Sequence, residues 1–100
     1  MTKTRILLVD DHDIVRLGLM TLLNDQPDME VVGEASTAGE GVKAAEVLQP
    51  DVVLMDIRLP GVGGIEACQQ VTSRMPSCKV VMLTSFADDE LVVRAIRAGA

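Results

Sequence analysis

Aromatic side chains are almost missing from this chain: Phe86 is the only one among 100 residues, and there is no tryptophan or tyrosine. Any core must be built from Val, Leu, Ile, Met and Ala, and the six methionines read as core filler rather than a binding groove. Basic residues are the minority, 9 against 15 acidic, for a net charge of -6. That balance excludes a segment that itself grips nucleic acid through a basic face. It suits a soluble domain with a cation site. No apolar stretch approaches the length of a membrane span. The apolar run after Lys3 and Arg5 stops at Asp10-Asp11, too soon for a signal peptide, so the expected compartment is the cytoplasm. Cys68 and Cys78 lack metal-ligand spacing and read as buried free thiols.

What is present is a repeated alternation of short apolar runs and helical patterns. Thr4–Val9, Asp51–Asp56 and Lys79–Leu83 are valine- and leucine-rich runs, the pattern of strands buried on both faces. Met29–Ala35 alternates instead: Met29, Val31, Gly33 and Ala35 fall on one face, and Glu30, Val32 and Glu34 on the other. Exposed glutamates mark it as an edge strand protected by charge. Between the strands lie helices. The first has Asp13 as its expected N-cap and Ile14, Val15, Leu19, Leu22 and Leu23 as its inner face, with Gly18 allowing close packing on the sheet. The second opens on the capping box Thr37-Ala38-Gly39-Glu40, buries Val42, Ala45 and Leu48, and stops before Pro50. The third presents Ile65, Cys68, Val71 and Thr72 and closes at Pro76. A fourth is expected to open on Asp88, Asp89 and Glu90, carry Arg94 and Arg97 near its end, and cap at Gly99. Four β-α units with short loops imply an α/β fold: a parallel sheet with right-handed crossovers and helices on both faces. The 100 residues read as one domain.

Three strand ends carry polar residues: Asp10-Asp11, Asp56 and Thr84. In a parallel sheet these ends share one edge, the edge where open α/β sheets bind ligands. With the first and third strands as neighbours, about 5 Å apart, three carboxylates meet. Two unit charges at that spacing repel by roughly 3 kcal/mol at an effective dielectric near 20, so one carboxyl takes up a proton or a cation neutralises the cluster. Oxygen ligands at an open loop edge favour Mg²⁺. A carboxylate beside such an ion can attack phosphorus in line and become an aspartyl phosphate, and the Thr84 hydroxyl can donate to a phosphoryl oxygen. His12, next to the acidic pair, reads as a solvated loop residue that tunes the pocket.

Leu8-Val9-Asp10-Asp11-His12, Val53-Leu54-Met55-Asp56-Ile57-Arg58-Leu59-Pro60-Gly61 and Met82-Leu83-Thr84-Ser85 together resemble a response-regulator receiver domain. Asp13-Ile14-Val15-Arg16-Leu17-Gly18-Leu19 and Ala95-Ile96-Arg97-Ala98-Gly99-Ala100 further resemble the NarL/FixJ branch, which carries a LuxR-type helix-turn-helix output domain. The resemblance implies a flavodoxin/CheY-like doubly wound sheet. It implies Asp56 as phosphoacceptor, Asp11 as direct Mg²⁺ ligand with Asp10 assisting through water, the backbone carbonyl of Arg58 as a third protein ligand, and Thr84 as switch hydroxyl. It implies a sensor histidine kinase as phosphodonor and DNA as the target of the output domain, so a switch in transcription rather than an enzyme. The family's fifth strand, its terminal lysine, the preceding aromatic switch residue and the fifth helix are expected beyond Ala100, as is the output domain. Lys79 begins the fourth strand and does not replace that lysine. With Val80–Leu83 as an apolar edge, a homodimer or an exchange of segments between copies is expected.

Two other readings stay open. A Mg²⁺-dependent phosphohydrolase with an aspartate nucleophile of the haloacid-dehalogenase type needs a second aspartate two residues on, where this chain has Arg58. A nucleotide- or flavin-binding module of the same fold needs a glycine- or hydroxyl-rich first loop, where this chain has Asp10-Asp11-His12-Asp13.

Overall fold

The computed structural model describes residues 3–56 and 64–83, together with Val93 and Ile96. Within them the order is β1 (Thr4–Val9), α1 (Asp13–Asn24), β2 (Met29–Ala35), α2 (Ala38–Leu48), β3 (Val52–Asp56), α3 (Gly64–Arg74) and β4 (Lys79–Leu83). All pairings are parallel, in the order β2-β1-β3-β4. The order reverses after β1, as in a doubly wound sheet.

The unbroken apolar runs of β1 and β3 follow from their central position. Leu7, Val9, Val53 and Met55 face one side, where α2 and α3 supply Val42, Ala45, Ala67 and Val71. Ile6, Leu8, Val52 and Leu54 face the other, against Leu23 of α1 and Val93 and Ile96. Each such side chain stabilises the fold by about 1.5–3 kcal/mol relative to exposure. At the amino end of the sheet Asp51 ties three strands. Its N–H donates to the Arg5 carbonyl, its carbonyl accepts from the Lys79 N–H, and its carboxylate accepts from the Arg5 N–H at 2.9 Å.

Expectations for β2, α1 and α3 need correction. β2 is an edge strand with Glu30 and Glu34 exposed, but its alternation breaks. Ile6 pairs with Val31 and Leu7 with Gly33, so Val32 is an extra residue, a β-bulge. Met29 and Val31 therefore pack on the α1 side, and Ala35 on the α2 side. In α1, Ile14 is 86% exposed and Val15 and Leu17 are also exposed. The inner side is Arg16, Leu19, Met20, Leu22 and Leu23, so Leu19, Leu22 and Leu23 pack as expected, with Arg16 rather than Ile14 inward in the first turn. Gly18 has nothing within 4 Å of where a Cβ would stand, so it serves no close packing. Among the described side chains of α3 the inner ones are Ala67 and Val71, followed by Met75, with Cys68 half-buried; the expected Ile65 side chain lies outside the described residues. Thr72 is exposed, its hydroxyl donating to the Cys68 carbonyl at 2.9 Å.

The second helix follows its sequence signals. The Thr37 hydroxyl accepts from the Glu40 N–H at 3.1 Å, while the Glu40 carboxylate reaches back to Ser36. Gly41 lies against Val9, where a Cβ would stand 2.9 Å from a valine methyl. Past Leu48, Gln49 takes a left-handed conformation with φ 50°, and Pro50 follows. Cys68 and Cys78 are free thiols, Cys78 buried and Cys68 half-buried. The fourth-helix signals at Asp88, Asp89, Glu90, Arg94, Arg97 and Gly99 lie outside the described residues.

Candidate functional site

The register carries the site. Val9 pairs with Met55 in adjacent parallel strands, so the next step along each chain sets Asp10 beside Asp56. Asp10, Asp11, His12 and Asp56 each offer one ligand atom, and these atoms all lie within 4.8 Å of one another. Asp56 is buried, 7% exposed, and is the one charged residue in the described core. Asp10 is half-buried, and Asp11 and His12 are exposed. Among the described residues the rim thus joins a deep carboxylate, Asp56, to solvent-exposed side chains at Asp11 and His12.

Local hydrogen bonds shape the loop after β1. The Asp10 N–H continues the sheet by donating to the Ala35 carbonyl at 3.0 Å. The Asp10 carboxylate accepts from the His12 N–H at 2.8 Å. This is an Asx-type turn that folds the chain back at the strand end. The His12 Nδ1 lies 3.2 Å from Asp10 Oδ1 and 3.0 Å from Asp11 Oδ1. Its hydrogen bond to Asp10, and the nearby charges of Asp11, Asp10 and Asp56, hold its pKa above the ordinary histidine value. His12 is thus part of the cluster itself, not only a neighbour.

Asp13 does not cap α1. His12 occupies the N-cap position without a side-chain bond, and the Asp13 carboxylate instead accepts from Arg16 Nη2 at 2.6 Å. Arg16 also donates from Nε to Glu34 at 3.2 Å and from Nη1 to the Asp10 carbonyl at 2.5 Å. Its side chain is 12% exposed. Burial opposes its charge, but the bonds to Asp13 and Glu34 outweigh that and hold the guanidinium above its usual range. Sequence reasoning assigned Arg16 no role and gave Glu34 only an edge-protecting one. The i,i+3 spacing of Asp13 and Arg16 was the available signal; the bond to a backbone carbonyl had none.

Of the remaining expected site residues, Thr84 and Arg58 lie outside the described residues. The strand that leads to Thr84 does end at the rim, since Leu83 pairs with Asp56.

The fold and this rim define a class. The sequence profile of the response regulator receiver domain matches residues 6–100, and the chain belongs to that family. Transcriptional regulatory protein LiaR of Bacillus subtilis (strain 168) is 51% identical over 96 residues, covering 96% of this chain and 46% of that protein. DNA-binding transcriptional activator DevR/DosR of Mycobacterium tuberculosis is 45% identical over 96 residues, covering 96% of this chain and 44% of that protein. The chain spans about half the length of these relatives. A LuxR-family response regulator from Aurantimonas sp. SI85-9A1 has a similar structure, with TM-score 0.80 and 38% identity over 99% of this chain and 71% of that one. The response regulator domain of Thermotoga maritima CheB gives TM-score 0.78 and 37% identity over 98% of this chain and 74% of that one.

Proposed function

We propose that this receiver domain accepts a phosphoryl group on Asp56 from the histidine of a sensor kinase and thereby switches a LuxR-type helix-turn-helix output domain on DNA. The observation that carries the reading is the convergence of Asp10, Asp11, His12 and Asp56 within 4.8 Å at the carboxyl end of β1 and β3. Three carboxylates around a partly open rim fit a hard divalent cation such as Mg²⁺. Asp11 and Asp56 would hold it directly, Asp10 through water, and the Arg58 carbonyl as a further ligand. When bound, Mg²⁺ offsets the carboxylate charge and draws the phosphoryl oxygens into the rim. The Asp56 carboxylate attacks phosphorus in line. An O–P bond forms, the P–N bond to the donor histidine breaks, and the leaving imidazole nitrogen takes up a proton. The Thr84 hydroxyl then donates to a phosphoryl oxygen and shifts, carrying the signal away from the rim.

Three further parts belong to the same proposal: the output domain beyond residue 100, the cytoplasm as compartment, and a homodimer or segment exchange along the β4 edge. Among the described residues no helix is long and apolar enough to cross a membrane. The test is acetyl phosphate with Mg²⁺, read by intact mass. A gain of one phosphoryl group, absent in Asp56→Asn, is the expected result. Continuous turnover with no mass gain would favour a phosphohydrolase and overturn the reading.

A further inference from the structure

We propose that Arg16 is the positioning residue of the acidic rim: its guanidinium sets the Asp10-Asp11 peptide in the orientation that receives the cation. The inference rests on the proposed function for the identity of the ligand and on the structure for the geometry. β1 ends at Val9, and Asp10 is the first residue past it. The Asp10 N–H is still fixed by the Ala35 carbonyl. Its carbonyl is fixed by Arg16 Nη1 at 2.5 Å. That bond sets the peptide plane between Asp10 and Asp11, and so the direction in which Asp11 leaves the strand.

The guanidinium is itself anchored by Glu34 on β2 at 3.2 Å and, within its own helix, by Asp13 at 2.6 Å. Three different nitrogens meet three acceptors, so the side chain has one orientation. A planar fork does this; a lysine ammonium is a point charge on a flexible stem and does not. None of these acceptors is a carboxylate of the rim. Arg16 therefore arranges the site without competing with a cation for its ligands.

The experiment is a Mg²⁺ titration of the whole chain, followed by the ring resonances of His12, the sole histidine, with Arg16→Ala, Arg16→Lys and Glu34→Gln beside the unmodified protein. Partners that orient metal ligands typically account for 10–100-fold in affinity. Arg16 acts through the backbone, so about a tenfold rise in the Mg²⁺ midpoint is expected for Arg16→Ala. Smaller rises are expected for Arg16→Lys, whose ammonium can still donate one bond to the Asp10 carbonyl, and for Glu34→Gln, which weakens one anchor. At saturating Mg²⁺ the rate of mass gain from acetyl phosphate should return to that of the unmodified protein, which a general loss of structure would not allow. Should Arg16→Ala fail to fold, Arg16→Lys and Glu34→Gln carry the test. Unmoved midpoints in the variants, with a Mg²⁺-responsive parent, overturn this inference alone. A parent that shows no Mg²⁺ response overturns the proposed function and this inference with it.

Discussion

Asp56→Asn should make the protein more stable in the presence of a chelator, and Mg²⁺ should shrink that advantage. The carboxylate oxygens of Asp56, Asp10 and Asp11 stand within 4.8 Å of one another. At that distance each like-charged pair repels by about 3.5 kcal/mol at an effective dielectric of 20, and by about 0.9 kcal/mol at the dielectric of water. Asp56 is buried while Asp11 is open to solvent, so the effective value lies between these limits. Replacing Asp56 by Asn removes two of the three pair terms. Part of that gain is offset because the buried amide must find its own hydrogen bonds and because the favourable proximity of His12 is lost. A net gain of about 1–3 kcal/mol remains, and each kcal/mol raises Tm by about 4–8 °C in a domain of this size. A cation bound only to the native unmodified protein adds RT ln(1 + [L]/Kd), about 1.4 kcal/mol at tenfold excess over Kd. The assay is urea denaturation at pH 7.5 of both proteins, with chelator and with Mg²⁺. If Asp56→Asn is no more stable than its parent in chelator, the repulsion argument fails. If Mg²⁺ stabilises both proteins equally, the ion does not use Asp56.

Two glycines in helices should respond in opposite directions to alanine. Gly18→Ala enters open space and should stabilise by about 1 kcal/mol, whereas Gly41→Ala meets Val9 at 2.9 Å and overpacks by about 1–3 kcal/mol, which outweighs its helix gain and leaves a net loss; thermal melts of both variants check this. The His12 pKa, raised chiefly by its hydrogen bond to Asp10 and by the Asp11 charge, should fall when Mg²⁺ takes those oxygens, as an NMR titration would show. The sign for stability follows: His12 helps the fold below the ordinary histidine range, and that help is lost as pH rises through the raised value. Burial, reinforced by Asp51, pushes the Cys78 thiol up. The unfolded chain therefore releases that proton first, and stability should decline as pH climbs past the ordinary thiol range. A thiol reagent should label half-buried Cys68 before Cys78 under native conditions.

Much of the architecture was legible because β1 and β3 are buried on both faces, and such strands announce themselves as unbroken apolar runs. Their shared direction was enough to bring Asp10, Asp11 and Asp56 to one rim. The phase of the helices was less legible. Ile14 and Val15 fit a helical period as well as Leu19 and Leu23 do, but the inward side of the first turn is taken by Arg16, held by Asp13 on its own helix, by the Asp10 carbonyl and by Glu34 on β2. A bond from a side chain to a backbone carbonyl leaves no trace in residue types. The expected cap at Asp13 failed because Arg16, three residues on, claims that carboxylate. The irregularity of β2 was invisible because its residues alternate well in isolation, and only the partner strand reveals which of them is surplus.

That surplus residue gives β2 an unusual tolerance. Losing one amino acid from a strand ordinarily turns every later side chain inside out. Here Val31 and Gly33 already sit opposite the consecutive residues Ile6 and Leu7. Excising Val32 would let the neighbours close ranks with Met29 and Ala35 still directed to their present sides. The length of this outer ribbon is thus free to vary by one at that point, while a deletion two positions later, at Glu34, would move Val32 into the place of Gly33, where Leu48 leaves no room for a Cβ, and cut loose an anchor of Arg16.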